Sequence, residues 1–245
     1  NGTDWKNFVN TVGGTTCDCD YPTTSNGELL MQLDNSINNT CSGVTPTMAS
    51  GTATFSSTAK YGSYSFQGDG SRCIDTNYSL TGKSNYTISI WFYNVNTGSS
   101  NQYIGGTTGT NVSTLVNGWL FNVRGSSASP AGYIDVIFRG GSSQPDIGRT
   151  IGGTTANNTW NNLCVAYNNG TATIYLNGSS SFSLTSGTNP QTSLGSGTHE
   201  GDLSIASGGV TETASRWTGL LDQVRVYDTT LTQAEITSLQ TETPC

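Results

Sequence analysis

The sequence predicts an all-β fold of antiparallel strands, closed by one short C-terminal helix and preceded by an N-terminal arm. Three observations carry this. Composition leans to Gly, Ser, Thr and Asn, with 31 glycines in 245 residues, which suits many strands joined by turns. From Leu220 to Tyr227 the side chains alternate, setting Leu220, Asp222, Val224 and Val226 on one face and Leu221, Gln223, Arg225 and Tyr227 on the other. Between Trp160 and Leu176 two apolar runs flank Asn169-Gly170, the preferred pair for a type I′ hairpin turn.

Taken in order, residues 1–24 form the arm. It holds Trp5, Phe8, Val9 and Val12, then Gly13-Gly14 and Cys17-Asp18-Cys19, and its apolar spacing predicts a short helix from Asp4 to Val12. The domain, residues 25–245, opens with Leu29 to Leu33 running into Asp34. A short strand follows at Thr52–Ser56, then the stretch Lys60 to Gly70. Asn85 to Tyr93 reads as a strand with Ile88, Ile90 and Phe92 on one face and Ser89, Trp91 and Tyr93 on the other. Trp119–Arg124 and Tyr133–Arg139 form a strand pair across a Gly/Ser/Pro loop. After the Asn169-Gly170 hairpin, Ser204 to Ala206 is a short strand before the closing one. Thr232 and Glu235 then have the spacing of a capping box, in which each side chain accepts the other's backbone N–H. Leu231 and Ile236 are placed as a hydrophobic staple, so a helix is predicted from Gln233 to near Leu239.

The closing unit resembles the end of laminin-G-like, concanavalin A-like domains, where the last core strand reads L-D-x-V-R-V-Y and L-T-x-x-E-I comes after it. The matching residues are Leu221 to Tyr227, then Leu231 to Ile236. The resemblance extends to Leu33-Asp34, to Gly62-Ser63-Tyr64-Ser65-Phe66-Gln67-Gly68, to the strand from Asn85, and to the Trp160 hairpin with its Asn177-Gly178 turn. Gln67 stands where the family often has Asp. The resemblance implies two antiparallel sheets packed face to face as a jelly-roll sandwich. It does not fix function, since this fold hosts lectins, adhesion modules, enzymes and structural proteins. It also implies calcium as a candidate cofactor at Asp34, Asp69 and Asp222, whose carboxylates suit that ion.

Formal net charge is -7 with only nine Lys plus Arg, which argues against nucleic-acid binding. The strongest apolar run, Ile88 to Tyr93, is strand-sized and too short to span a membrane. Six cysteines and N-x-Ser/Thr signatures at Asn1, Asn38, Asn77, Asn85, Asn111, Asn157, Asn169 and Asn177 point to a secreted, extracellular glycoprotein. Cys17, Cys19, Cys41, Cys73, Cys164 and Cys245 allow many pairings. The expectation is Cys41–Cys73 within the domain, with Cys17 and Cys19 anchoring the arm to Cys164 and Cys245, and intermolecular bridges remain open.

Catalytic chemistry finds little support in the residues present. Glu28, Glu200, Glu212, Glu235 and Glu242 lack the alternating E-x-D-x-E spacing that retaining glucanases of this fold carry. The one histidine, His199, sits in a polar loop with no nucleophile turn in the chain. The protein is therefore expected not to be an enzyme. Sugar contacts, if present, are expected from the aromatic faces of Tyr103, Trp119, Tyr133 and Trp217. The expected function is a non-catalytic structural or adhesive subunit of an extracellular fibre, sheath or coat, with copies of itself or other extracellular proteins as partners. The alternative is a calcium-dependent glycan-binding module; glycoside hydrolysis is third.

Overall fold

The structure, a computed structural model, describes residues 18–23, 26–41, 43–95, 98–107, 117–140, 146–185 and 201–242. Asn1, Asn111, Cys17, Cys245, His199, Glu200 and the helix expected at residues 4–12 lie outside them.

In chain order the strands are β1 Gly27–Met31, β2 Thr47–Ser50, β3 Phe55–Ser56, β4 Ser65–Asp69, β5 Cys73–Ser79, β6 Asn85–Asn94, β7 Gln102–Gly106 and β8 Asn117–Val123. They continue as β9 Tyr133–Gly140, β10 Asp146–Thr154, β11 Trp160–Asn168, β12 Thr171–Leu176, β13 Ser179–Thr185, β14 Asp202–Ile205 and β15 Thr218–Tyr227, and the helix α1 is Gln233–Ser238. One sheet runs β13-β12-β11-β6-β15-β4-β3, with β1 also on β15. The other runs β10-β9-β8-β7-β14-β5-β2. All the strand pairings are antiparallel. This is the concanavalin A-like jelly-roll sandwich that the resemblance implies.

The core lies between the sheets. Ile88, Ile90 and Phe92 of β6 and Leu163, Val165 and Tyr167 of β11 meet Trp119, Phe121, Ile134, Val136 and Phe138 from the facing sheet. Their burial away from water is the main stabilising term. The β11–β12 hairpin turns at Asn169 (φ +40°) and Gly170 (φ +100°), both left-handed as a type I′ turn requires. The capping box forms as predicted: Thr232 Oγ1 accepts Glu235 N, and Glu235 Oε2 accepts Thr232 N.

The closing strand departs from simple alternation. Gln223 takes φ +43°, and the β15–β6 register shifts between Asp222 and Arg225. This bulge inserts one residue and reverses the parity of the remainder of the strand. Leu221, Val224 and Val226 therefore share the core face. Leu220 and Asp222 lie opposite Tyr93 and Trp91, outside the sandwich, on the side that also carries Arg225 and Tyr227. The sequence also missed β2, β5, β7, β10 and β13, and it placed β3 too long. Strands such as β13, SSSFSLT, are held by ladder pairing to a neighbour and carry little apolar period of their own.

Candidate functional site

The outward face of the eight-stranded sheet is built in two parts. The first is roofed. Helix α1 lowers Ile236, with Leu231 and Leu239, onto Cys164, Ala166, Tyr175 and Tyr227, and Tyr21 packs beside them. Tyr61 extends the roof. Its hydroxyl donates to Leu239 O at 3.3 Å, and its ring meets Trp91 edge-on at 5.9 Å. Lys60 Nζ lies 4.2 Å from the Trp91 ring centroid, a cation–π distance.

Two of the three expected calcium ligands brace the loop from Lys60 to Tyr64. Asp222 Oδ2 accepts Lys60 N at 2.8 Å and Tyr61 N at 3.1 Å, while its Oδ1 accepts Gln223 N at 2.9 Å. Asp34 Oδ1 accepts Ser63 N at 3.1 Å and Tyr64 N at 2.7 Å. Gly62 is required between them. Its φ is +65°, and a Cβ there would stand 2.8 Å from Asp34 Oδ2. Asp222 is fully buried, and burial pushes its carboxyl up to about 7 against the three N–H bonds that favour the anion. Asp69 is elsewhere, pairing with Arg72 at 2.9 Å. Hydrogen bonds from Ser71 hold its carboxyl below the ordinary value. These carboxylates are engaged by N–H donors or a guanidinium, with Asp34 using Oδ1 for both of its bonds. Among the described residues no group of three or more His, Cys, Asp or Glu side chains is arranged to hold a metal.

The second part of the face is open. Tyr93 of β6 and Trp160 of β11 are directly paired across the sheet, half-buried, and packed edge to face at 5.5 Å. Asn162, two residues along on the same side, accepts a hydrogen bond from Gln240 Nε2 at 2.9 Å. Beyond it a groove of about 540 Å³ runs between the β12–β13 turn and α1, lined by Asn177, Gly178, Ser180, Gln233, Thr237 and Gln240. Its wall is amides and hydroxyls, which suit a polyhydroxy ligand.

The residues expected to hold sugar are not brought together. Trp119 and Trp217 are fully buried in the core, where large apolar rings stabilise most, and they present no face outward. Tyr103 and Tyr133 are half-buried on the other sheet. The sequence reading does not single out Tyr93 or Trp160, although the Ile88/Ile90/Phe92 periodicity already sets Tyr93 on the face away from the core.

The disulfide expectation is corrected as well. Cys19 pairs with Cys41, with Cα atoms 5.5 Å apart, while Cys73 and Cys164 are buried, unpaired thiols. Cys73 lies on one sheet and Cys164 beneath α1 on the other. Burial pushes the Cys73 thiol up to about 11 and the Cys164 thiol to about 12, so neither is a ready nucleophile. Residues 18–23 of the arm are held by their own domain. Arg225 Nη1 donates to Asp18 O at 2.9 Å, Tyr227 Oη donates to Tyr21 O, and Tyr21 Oη donates to Ser238 O at 3.0 Å. Among the glutamates, Glu212 accepts Ala214 N, Glu235 caps α1 and Glu242 pairs with Arg225. No helix among the described residues is long and apolar enough to cross a membrane.

Residues 66–237 match the family model described as the concanavalin A-like lectin/glucanases superfamily. A comparison with curated protein sequences finds no match. Solved structures of similar fold include domain 4 of AbnA, an extracellular GH43 arabinanase from Geobacillus stearothermophilus, in complex with arabinotriose. It is 17% identical at a TM-score of 0.64, over 86% of this chain and 97% of that one. They also include the binding domain of botulinum neurotoxin serotype D, 15% identical at a TM-score of 0.60. That match covers 87% of this chain, which spans about half (51%) of the toxin domain's length.

Proposed function

The chain belongs to the concanavalin A-like lectin/glucanases superfamily, and from that premise we propose that it is a secreted, non-catalytic carbohydrate-binding module. Its sugar-binding face is the Tyr93–Trp160 pair with the adjoining amide groove. One observation carries this reading: two half-buried aromatic rings on neighbouring strands, linked through Asn162 and Gln240 to a groove walled by Asn, Gln, Ser and Thr. A sugar ring has an apolar face of C–H groups and a rim of hydroxyls. The first stacks on an aromatic, and the second needs amide or hydroxyl partners. Glycan recognition in the family's binding modules, and the arabinotriose named for the arabinanase domain, make neutral oligosaccharides the natural first probes.

The test is calorimetric titration with arabino-oligosaccharides and a panel of neutral glycans, with calcium and again with chelator. Trp160→Ala is expected to weaken binding at least about tenfold, close to 1.4 kcal/mol, while Tyr133→Ala leaves it unchanged. Wild-type affinity in both Trp160→Ala and Tyr93→Ala would sink the assignment. Binding lost in chelator would bring Asp34, Asp69 and Asp222 in as calcium ligands, at the expense of their bonds to the Lys60–Tyr64 loop and to Arg72.

A second reading keeps the module as an adhesive subunit of an extracellular assembly. Strand β2 favours it. It pairs only with β5 among the described residues, and Thr47–Ser50 carries neither charge nor proline, the usual guards of a sheet edge.

A further inference from the structure

We propose that Asn38, Asn85, Asn157 and Asn169 are N-glycan acceptors, and that Asn77 and Asn177 are not, although all six carry the N-x-Ser/Thr signature. The distinction lies in what each side-chain amide does in the folded chain. In transfer, the asparagine Nδ2 bonds to the anomeric carbon of an oligosaccharide carried on a polyprenyl pyrophosphate. The sugar–phosphate C–O bond breaks, the lipid pyrophosphate leaves, and one amide proton is lost to base. The modified nitrogen keeps one N–H and gains a bulky substituent that must sit in water.

Asn77 cannot accept that exchange. Its φ is +54°, it is half-buried, and Nδ2 donates to Thr45 O at 2.7 Å and to Thr47 Oγ1 at 3.4 Å, so both hydrogens are in use. These bonds tie β5 to the segment that enters β2. Asn177 is exposed but engaged at both amide atoms. Its Oδ1 accepts Asn162 N at 2.8 Å and its Nδ2 donates to Asn161 Oδ1 at 3.3 Å, locking the β12–β13 turn to β11. On folding, a glycan at Asn77 would cost at least one of its two Nδ2 bonds, and one at Asn177 would stand within the amide contacts that lock the turn to β11.

The other four are exposed. Asn38 uses only its backbone N–H, bonded to Ser36 Oγ. Asn157 uses only Oδ1, which accepts from Asn94 Nδ2 at 3.0 Å, leaving its own Nδ2 outside. Asn169 sits at the tip of the β11–β12 turn. Asn85 opens β6, with a single long contact from Nδ2 to Ser84 Oγ at 3.4 Å. Asn85 is paired with Asn168, at the opposite end of the β6–β11 pair from Tyr93 and Trp160. The eight residue steps from Asn85 to Tyr93 span roughly 27 Å of strand. Glycans on Asn85 and Asn169 therefore leave the aromatic pair clear, whereas one on Asn157, bonded to Asn94 beside Tyr93, stands at its edge. Glycan placement at these asparagines does not depend on the sugar-binding reading.

The test is secretion of the chain from a glycosylating eukaryotic cell and peptide mapping after enzymatic glycan release in heavy-oxygen water. Heavy-oxygen label at Asn38, Asn85, Asn157 and Asn169, with Asn77 and Asn177 unlabelled, is the expected result. A glycan on Asn77 or Asn177 in folded, secreted protein, or four bare asparagines at the proposed acceptors, overturns it. Asn77→Gln is expected to lower the melting temperature by a few degrees with no loss of glycan mass. Because that variant could fail to fold, Ser79→Ala supplies the check: it deletes the signature and keeps the amide. Unchanged mass supports the proposal, and loss of one glycan overturns it.

Discussion

Asp222 holds a carboxylate where water does not reach. Its folded-state value of about 7 lies above the ordinary 3.8, so the folded protein binds this proton more tightly than the unfolded chain does. The stabilising contribution is complete below about pH 4 and is lost as pH rises to about 7. The full loss is on the order of 4 kcal/mol, from one pKa unit being worth about 1.4 kcal/mol. Asp222→Asn is expected to flatten that slope in urea denaturation between pH 4 and 7. A wild-type slope that survives the substitution would refute the assignment. The sequence placed Asp222 on a strand face, yet set Val224 and Val226 on the same face. The bulge at Gln223 reverses that, and no residue type announces it: Gln rarely adopts φ +43°. The partners of Asp222 were equally hidden, since Lys60 and Tyr61 lie 161 or more positions away in sequence.

Among elements, α1 was the most legible, because a capping box and staple are local patterns that need no tertiary contact to be read. The Asn169-Gly170 hairpin was legible for the same reason. Strands β5, β10 and β13 were not, since their existence depends on a neighbour's ladder. The Cys19–Cys41 pairing was hidden too, because it depends on where the arm folds back rather than on spacing. That fold-back is held by Arg225, whose side chain is almost wholly buried and meets Glu242 as well as Asp18 O and Tyr21 O. Arg225→Met strips the cation from a buried carboxylate, and such losses cost about 3–5 kcal/mol. Chemical denaturation should show that drop, with part recovered in Arg225→Met/Glu242→Gln. A change under about 1 kcal/mol would mean that the pair is screened and incidental.

At the scale of the molecule, the two-sheet sandwich was legible from motifs alone, while the open aromatic face was half legible. Periodicity turned Tyr93 outward, but only the pairing of β6 with β11 set Trp160 beside it. Burial decided against Trp119 and Trp217, and burial is a property of the assembled core rather than of any tryptophan's neighbours in sequence. The same scale separates the two functional readings. Light scattering of secreted protein is expected to give one chain, 25.7 kDa plus glycans; since Cys19–Cys41 is internal and Cys73 and Cys164 are buried, a mass that falls in reductant would point to bridges through Cys17 or Cys245. A multiple of that mass would favour assembly through the β2 edge.

The clasp at Arg225 also sets how the molecule would carry mechanical tension. Asp18 and Glu242 bind one guanidinium, so two positions far apart in sequence stand side by side. A pull applied through those two residues opens the clasp first and reaches the strands only afterwards. Until it opens, the sandwich hangs from the line of force as a pendant bead rather than sitting within it as a link. The outward face that carries Tyr93 and Trp160 keeps its shape until the clasp gives way.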